Sequence, residues 1–351
     1  GRGTLSVAAL ADTLEGDFVA EDVIRIQRRI PLIGRLGTVD LASIGSDPRL
    51  PDETGYDAAR HVYIDTETTG LSGGSGTVAF LVGIAVIKDD AIELTQFLLT
   101  RFAAEAALLT AFAESLSAAD RLVSYNGKSY DVPLLLTRFR MQSLTPPFDG
   151  LPHLDLLHPV RRLFGRYWSD CRLTTLEHNL LGFSRSDDLP GSEAPMAWFD
   201  FVRGGQGERL VQVVDHNRQD IVSLAVAHSA LAQAVEEPHS FGMDLPALAR
   251  WLAERDEAAA RELLEAHADG LCTDSRRLLG HYCRRAGDWP QAVAIWEGLA
   301  ATGCADSLER LAKYHEHISK DLAAARRCCE HLPPDPVHEH RRRRLDRKLS
   351  L

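Results

Sequence analysis

The chain has 351 residues, of which 45% are hydrophobic, and a formal net charge of −11. The length suggests two domains, and the acidic balance argues against a generally basic nucleic-acid coat while leaving room for a local basic groove. No apolar stretch is long enough to span a bilayer and no signal-peptide core is present, so a soluble, cytoplasmic protein with no membrane partner is expected.

Residues 1–58 show no convincing period and are expected to form an N-terminal extension or linker. Within them, Glu21 to Ile33 fits a strand or a short helix, and Gly45 to Gly55 is a polar stretch rich in Asp and Pro. A strand is predicted over about 61–67, where Val62, Ile64 and Thr66 share one face and Asp65 and Glu67 the other. Two carboxylates on one strand face repel each other and are costly to bury unless a cation compensates them; hard divalent ions with oxygen ligands do so. The alternative is a strand end with a solvated acidic face. A glycine-rich exit follows, with Gly70, Gly73, Gly74 and Gly76.

Further strands are predicted over 79–88 and 91–100, joined by a turn at Asp89-Asp90, then a helix (103–118), a strand (121–125) and a helix (130–141). Three consecutive strands followed by alternating helix and strand give an α/β fold with a mixed sheet flanked by helices. Asp131 falls at the start of the second helix, where backbone N–H groups and the helix dipole favour a carboxylate; a plain N-cap is the alternative. His153-Leu154-Asp155 ends a further strand, and Asp155 is either a metal or supporting ligand or an ordinary strand-end residue. Arg161, Arg162, Arg166 and Arg172 interleave with Phe164, Tyr167 and Trp168. That mixture suits single-stranded nucleic acid, and it equally fits an amphipathic helix with an exposed basic face. Downstream, a spacing of four puts His216 and Asp220 on one helical face. Asp65, Glu67, Asp131 and Asp220 together with His216 suit a two-metal hydrolytic site, in which cations roughly 3.5–4 Å apart stabilise the attacking and leaving oxygens.

After Glu236-Glu237-Pro238 the composition turns Ala, Leu, Arg and Glu rich with helical periodicity, and residues 240–351 are expected to be all-α. Leu279-Gly280-His281-Tyr282 aligns with Leu311-Ala312-Lys313-Tyr314 at a period of 32, and Ala292 then aligns with Ala324. The pattern resembles tetratricopeptide repeats, whose usual period is about 34. Such hairpins present a concave surface to a protein partner; a cap stabilising the first domain is the competing expectation. Arg341 to Arg344 either touch phosphate or end a solvated helix. The six cysteines, four in predicted helices, form no Cys-x-x-Cys pair and are expected to be reduced core thiols.

Asp-Thr-Glu-Thr-Thr-Gly-Leu at 65–71, Asn126-x3-Tyr130-Asp131 and His216-x3-Asp220 resemble, in order, the three exonuclease motifs of the DEDD superfamily. More narrowly, Leu71-Ser-Gly-Gly-Ser-Gly-Thr-Val-Ala-Phe, His153-Leu-Asp-Leu-Leu and Leu173-Thr-Thr-Leu-Glu are similar to the YprB/MrfB group of bacterial exonucleases. Histidine-type members usually have four residues between His and Asp and tyrosine-type members three; this chain has His with three. The resemblance implies a ribonuclease-H-like domain over 59–236 and a tetratricopeptide-like domain over 240–351. It implies a 3′–5′ exonuclease using two Mg2+ or Mn2+ ions on nucleic acid, DNA with a free 3′ end in a repair context. RNA hydrolysis and an inactive adaptor are the alternatives. Asp65, Glu67 and Asp220 would hold one cation, Asp65 would bridge to the second, Asp131 would act mostly through water, and His216 would take the proton of the attacking water. Thr68, Gly70, Leu71, Asn126 and Lys128 would meet substrate, with Leu71 wedged against the terminal base.

Overall fold

The computed structural model describes residues 4–44, 50–51, 60–70, 76–116, 119–186, 188–238 and 240–350. It divides into two units, Gly1–Met243 and Asp244–Leu351. In the first unit a short helix α1 (Val7–Thr13) precedes β1 (Asp17–Ala20) and β2 (Val23–Pro31), and a small ribbon follows, β3 (Arg35–Leu36) with β4 (Val39–Asp40). Then come β5 (His61–Thr68), β6 (Ala79–Lys88) and β7 (Ala91–Leu99). Asp89 and Asp90, with φ of 49° and 56°, form the turn between β6 and β7, the left-handed pair that matches strand twist in a tight hairpin. Helix α2 (Glu105–Ser115), β8 (Arg121–Ser124), α3 (Asp131–Met141) and β9 (His153–Asp155) complete the alternation.

These strands form one seven-stranded sheet in the order β1-β2-β7-β6-β5-β8-β9. Pairing is antiparallel from β1 as far as β5, while β8 and β9 run parallel to it. The fold class is therefore the expected one, a ribonuclease-H-like mixed sheet flanked by helices, with an all-helical C-terminal region. Val62 and Ile64 of β5 join Leu108, Phe112, Leu135 and Phe139 of α2 and α3 in the core. A buried bidentate pair, Arg138 to Glu105 at 2.5 and 2.6 Å, locks the two helices together.

The stretch expected to be an extension or linker instead builds the sheet. β2 pairs with β7 along nine positions, from Val23↔Leu99 to Pro31↔Ala91, which settles Glu21 to Ile33 as mainly strand. Its opening burial of Val23, Ile24 and Ile26 breaks strict alternation, and its partner lies some 60 residues downstream, so no local period announced it.

The polypeptide continues with α4 (Leu157–Phe164), α5 (Leu173–Leu176), a π-type turn at Glu177–Leu181, α6 (Ala194–Gly204) and the long α7 (Glu208–Glu236). In the second unit, α8 (Leu245–Ala253) pairs with α9 (Glu257–Ala266), α10 (Thr273–Arg285) with α11 (Trp289–Ala301), and α12 (Ala305–His317) with α13 (Leu322–Glu330). Asp256, Asp288 and Asp321 each cap the second helix of a pair through the side chain. Gly280 is required by packing, because a Cβ there would stand 2.8 Å from Trp296 Nε1.

The last helix, α14 (Pro336–Leu349), corrects both expectations for the arginine run. Arg342 donates to the carbonyls of Cys329 and Leu332, Arg344 and Lys348 hold the buried Glu316 carboxylate, and Arg341 is itself buried; only Arg343 is largely exposed. All six cysteines are free, but Cys272 is exposed and only Cys283, Cys328 and Cys329 lie inside helices. Among the described residues no helix is long and apolar enough to cross a membrane.

Because β2 covers the edge of β7, removing residues 1–32 should uncover a long apolar strand edge. Soluble yield and thermal melting of the truncated protein will check this, and the expected outcome is aggregation. A soluble fragment melting like the full chain would return the stretch to the status of an appendage.

Candidate active site

The interior strand β5 carries carboxylates at its carboxyl end, and its two faces meet different helices. Its odd-numbered residues face α7: Tyr63 Oη lies 3.2 Å from His228 Nδ1, and Asn217 Nδ2 donates to Asp65 Oδ2 at 2.6 Å. This close approach depends on Gly83, the residue paired with Asp65 on β6. A Cβ at Gly83 would lie 2.2 Å from Ile221 Cδ1 and 2.3 Å from Asn217 Oδ1. Gln96 on β7 fixes the Asn217 amide, donating to its Oδ1 and to Val214 O at 2.8 Å each, so Nδ2 has one direction left, toward Asp65. On the opposite face, Thr66 Oγ1 donates to Asp131 Oδ1 at 2.5 Å, bringing in the first residue of α3.

The consequence is a concentration of negative charge. Burial first, then Asp220, Asp131 and Glu67, hold the Asp65 carboxyl well above its ordinary range. Glu67 is raised by burial and by Asp220, Asp131 and Asp188. Asp131 is pushed up to about 6, again chiefly by burial, with the Thr66 hydrogen bond acting the other way.

One turn of α7 brings His216 and Asp220 to this cluster: His216 Nε2 is 3.5 Å from Asp220 Oδ2 and 3.9 Å from Glu67 Oε1. The three-residue spacing thus reaches the acidic site. His216 Nδ1 is 2.6 Å from Asp188 Oδ1 and 3.5 Å from Arg185 Nη1. Since a carboxylate only accepts, the shorter contact is a hydrogen bond from Nδ1–H to Asp188, and it turns Nε2 toward the Glu67 and Asp220 carboxylates. Arg185 joins the set together. It donates to Glu177 at 2.6 and 2.8 Å and to Asp188 at 3.0 Å, and it pairs with Asp220. Burial works against its charge, but Glu177 and Asp220 outweigh it and raise the guanidinium pKa further.

Asp155 is a positioning residue in this geometry. One oxygen accepts from the N–H groups of Asn126 (2.7 Å) and Leu157 (3.1 Å), the other from Lys128 N (3.1 Å), which holds Asn126 in its left-handed conformation, φ 67°. Thr68, Gly70 and Asn126 line a cavity of about 280 Å3 next to Asp65 and Asp131, together with Tyr125 and Tyr130. Lys128 is exposed but does not line that cavity, and Leu71 lies outside the described residues.

Sequence reasoning assigned no role to Asn217, Arg185, Asp188 or Glu177, although Glu177 closes the Leu173-Thr-Thr-Leu-Glu motif. Asn217 stood within the segment already singled out, three residues before Asp220 and so near it on the helix surface. Arg185 and Asp188 sit in an irregular segment, where no period indicates which way a side chain points.

Four carboxylates held together against their repulsion fit a hard divalent cation such as Mg2+ or Mn2+ by donor chemistry. As they stand, Asp220 is engaged by Arg185 and Asp131 by Thr66, and among the described residues no three His, Cys, Asp or Glu side chains converge closely enough to hold one ion.

A mixed sheet with an acidic cluster at the end of an interior strand, β5, is the arrangement of a ribonuclease-H-like protein. The chain belongs to the RNase_H superfamily, whose family model matches residues 62–231. It is 32% identical over 288 residues to the "Uncharacterized protein YprB" of Bacillus subtilis (strain 168), covering 79% of this chain and 70% of that protein. Among solved structures, the family B DNA polymerase of the archaeon Pyrobaculum calidifontis aligns with 61% of this chain and 30% of its own at 12% identity. Its TM-score is 0.38, too low a likeness to carry an argument. Membership of the superfamily supports cleavage of nucleic acid, and ribonuclease-H-like nucleases generally use two divalent metal ions.

A carboxyl whose pKa is raised in the folded state favours folding while protonated, and that contribution is lost as pH rises through the folded pKa; for Asp131 the window runs from about 4 to about 6. In chelator at pH 8, Asp65→Asn should therefore melt higher than wild type, by about 2–4 °C per kcal/mol of repulsion relieved. The difference should shrink as pH falls and Asp65 takes up its proton, and saturating Mg2+ should stabilise wild type more than the variant. A variant that melts lower at pH 8 would mean that Asp65 is not in repulsive contact with its neighbours.

Proposed function

We propose that this protein is a 3′–5′ exonuclease of the DEDD histidine type, hydrolysing DNA from a free 3′ end. The reading rests on one observation: carboxylates from three separate segments meet at the end of β5, with His216 Nε2 facing Glu67 and Asp220. Two divalent cations, Mg2+ or Mn2+, would supply the charge that stabilises the attacking and leaving oxygens. Asp65, Glu67 and Asp220 would hold one, Asp65 would also reach the second, and Asp131 would act mostly through water.

The remaining steps belong to the chain's own residues. Asp188 holds the Nδ1 proton of His216, which keeps the Nε2 lone pair available to take a proton from the attacking water. Arg185, bonded to both Asp188 and Asp220, keeps that carboxylate beside the imidazole. The 280 Å3 cavity is of a size for one terminal nucleotide, at the small end of ligand pockets. Preference for DNA, and a repair context, follow from the motif resemblance to the YprB/MrfB group. The capped helix pairs of Asp244–Leu351 are proposed to be a tetratricopeptide-like domain that takes a protein partner.

End-labelled DNA should be shortened from its 3′ end in Mg2+ or Mn2+, RNA more slowly, and neither in EDTA. Asp65→Asn should abolish turnover, and His216→Ala should lower it by roughly 10²–10⁴. Asp188→Asn should cost about 10–100-fold on its own and nothing further in the His216→Ala background. A fragment ending at Met243 should still degrade short naked DNA. Cleavage independent of metal, or none on any strand, would overturn the assignment.

A further inference from the structure

We infer that the small ribbon of β3 and β4 is a positioning element for His216. Through Gly37 and Thr38 it clamps the π-type turn, and so fixes the segment that carries Arg185 and Asp188. The inference deepens the exonuclease reading and rests on it for the role of His216. Arg35 pairs with Asp40 and Leu36 with Val39, which leaves Gly37 and Thr38 at the ribbon's tip. That tip meets the end of the turn, 143 residues onward from Thr38: Leu181 O accepts from Thr38 N at 2.7 Å and from Thr38 Oγ1 at 3.1 Å. The two backbones come this close because neither carries a side chain at the contact. Gly37 has φ 59°, and a Cβ there would stand 2.0 Å from Leu181 O; Gly182 has φ 72°, and its Cβ would stand 2.5 Å from Thr38 Cγ2. Two left-handed glycines thus face each other, a conformation that other residues reach only with strain.

Past Gly182 the backbone has one more tie, Phe183 N to Glu177 O at 3.1 Å, which closes the turn. Among the described residues, Ser184, Arg185, Ser186, Asp188 and Leu189 make no backbone–backbone hydrogen bond. Where Arg185 and Asp188 stand is therefore decided by how the turn is seated and by their own ion pairs. Asp188 accepts from His216 Nδ1 at 2.6 Å, and Arg185 bonds Asp188 at 3.0 Å and pairs with Asp220. The ribbon also reaches this place directly, because Leu36 lines a cavity of about 360 Å3 with Phe183, Asp188, Leu189 and His216. Loosening the ribbon moves the turn and that wall together. Misplacing an orienting group by about 1 Å can cost about a hundredfold in rate. A ribbon that only packs would lower stability when disturbed, with no loss of kcat that depends on His216.

The test uses the full-length chain with Gly37→Ala, Thr38→Val or Thr38→Ser, each also combined with His216→Ala. In EDTA, hydrogen exchange in Gly37→Ala should be faster at the Thr38 and Phe183 amides while β5 to β7 keep wild-type protection. On end-labelled single-stranded DNA in Mg2+, Gly37→Ala should lower kcat at least about tenfold with KM unchanged. Thr38→Val keeps the backbone N–H and loses only the Oγ1 bond, so it should lower kcat a few fold, and Thr38→Ser should restore the wild-type value. Neither Gly37→Ala nor Thr38→Val should lower kcat further once His216 is alanine. Should Gly37→Ala fail to fold, Thr38→Val against Thr38→Ser carries the same comparison. Wild-type kcat in folded variants would overturn the inference and leave the exonuclease assignment standing. So would an equal loss with and without His216, since the ribbon would then act elsewhere. A wild type that cleaves nothing would overturn the assignment and the positioning role with it.

Discussion

Mutual repulsion among carboxylates at the end of β5 is the constraint from which the rest of the first unit follows. Asp65, Glu67, Asp131 and Asp220 are drawn into one partly buried place, and burial itself is the largest cost each of the first three meets. Among the described residues, what opposes that cost is hydrogen bonding and the Arg185 guanidinium. Asn217 donates to Asp65, Thr66 donates to Asp131, and Arg185 neutralises Asp220. Two of these depend on near neighbours: the Asn217 contact needs no side chain at Gly83 and a Gln96 that fixes the amide, and the Arg185 contact needs the segment that brings it to α7.

Helix α7 is consequently held at three levels on one face. Asn217 engages β5, Asp220 engages Arg185, and Ser223 donates to Glu177, which Arg185 also holds. Arg185 is only 8% exposed and Glu177 1%, so removing either would leave an uncompensated buried charge, costing about 3–5 kcal/mol. The same guanidinium that stabilises the helix also positions Asp188 beside His216, so stability and the orientation of the imidazole share one residue. The same economy appears in Asp155, whose carboxylate serves the turn lining the cavity and the start of α4.

Charge is distributed by role as much as by number. The arginines of α14 look like a basic tail in the sequence, yet Arg342 and Arg344 are spent inside the second unit on carbonyls and on Glu316. Arg161 and Arg162 of α4 lie instead on an exposed helix face. The two clusters are alike in composition and differ in which helix face they occupy.

By itself the sequence determined the alternation of strands and helices from β5 to α3, the acidic pair on one face of β5, the shared helical face of His216 and Asp220, and the all-helical second region. These are set by periods of 2 and 3.6 and by spacing within a few residues, which local sequence expresses directly. Tertiary structure alone decided that residues 17–31 form an edge of the main sheet, because β2 finds its partner across more than 60 residues. It alone decided that Asn217, Arg185 and Asp188 join the site, because their directions depend on Gly83, on Gln96 and on an irregular segment with no period. Motifs place residues along the chain, whereas side-chain direction and long-range pairing are settled by what packs against them.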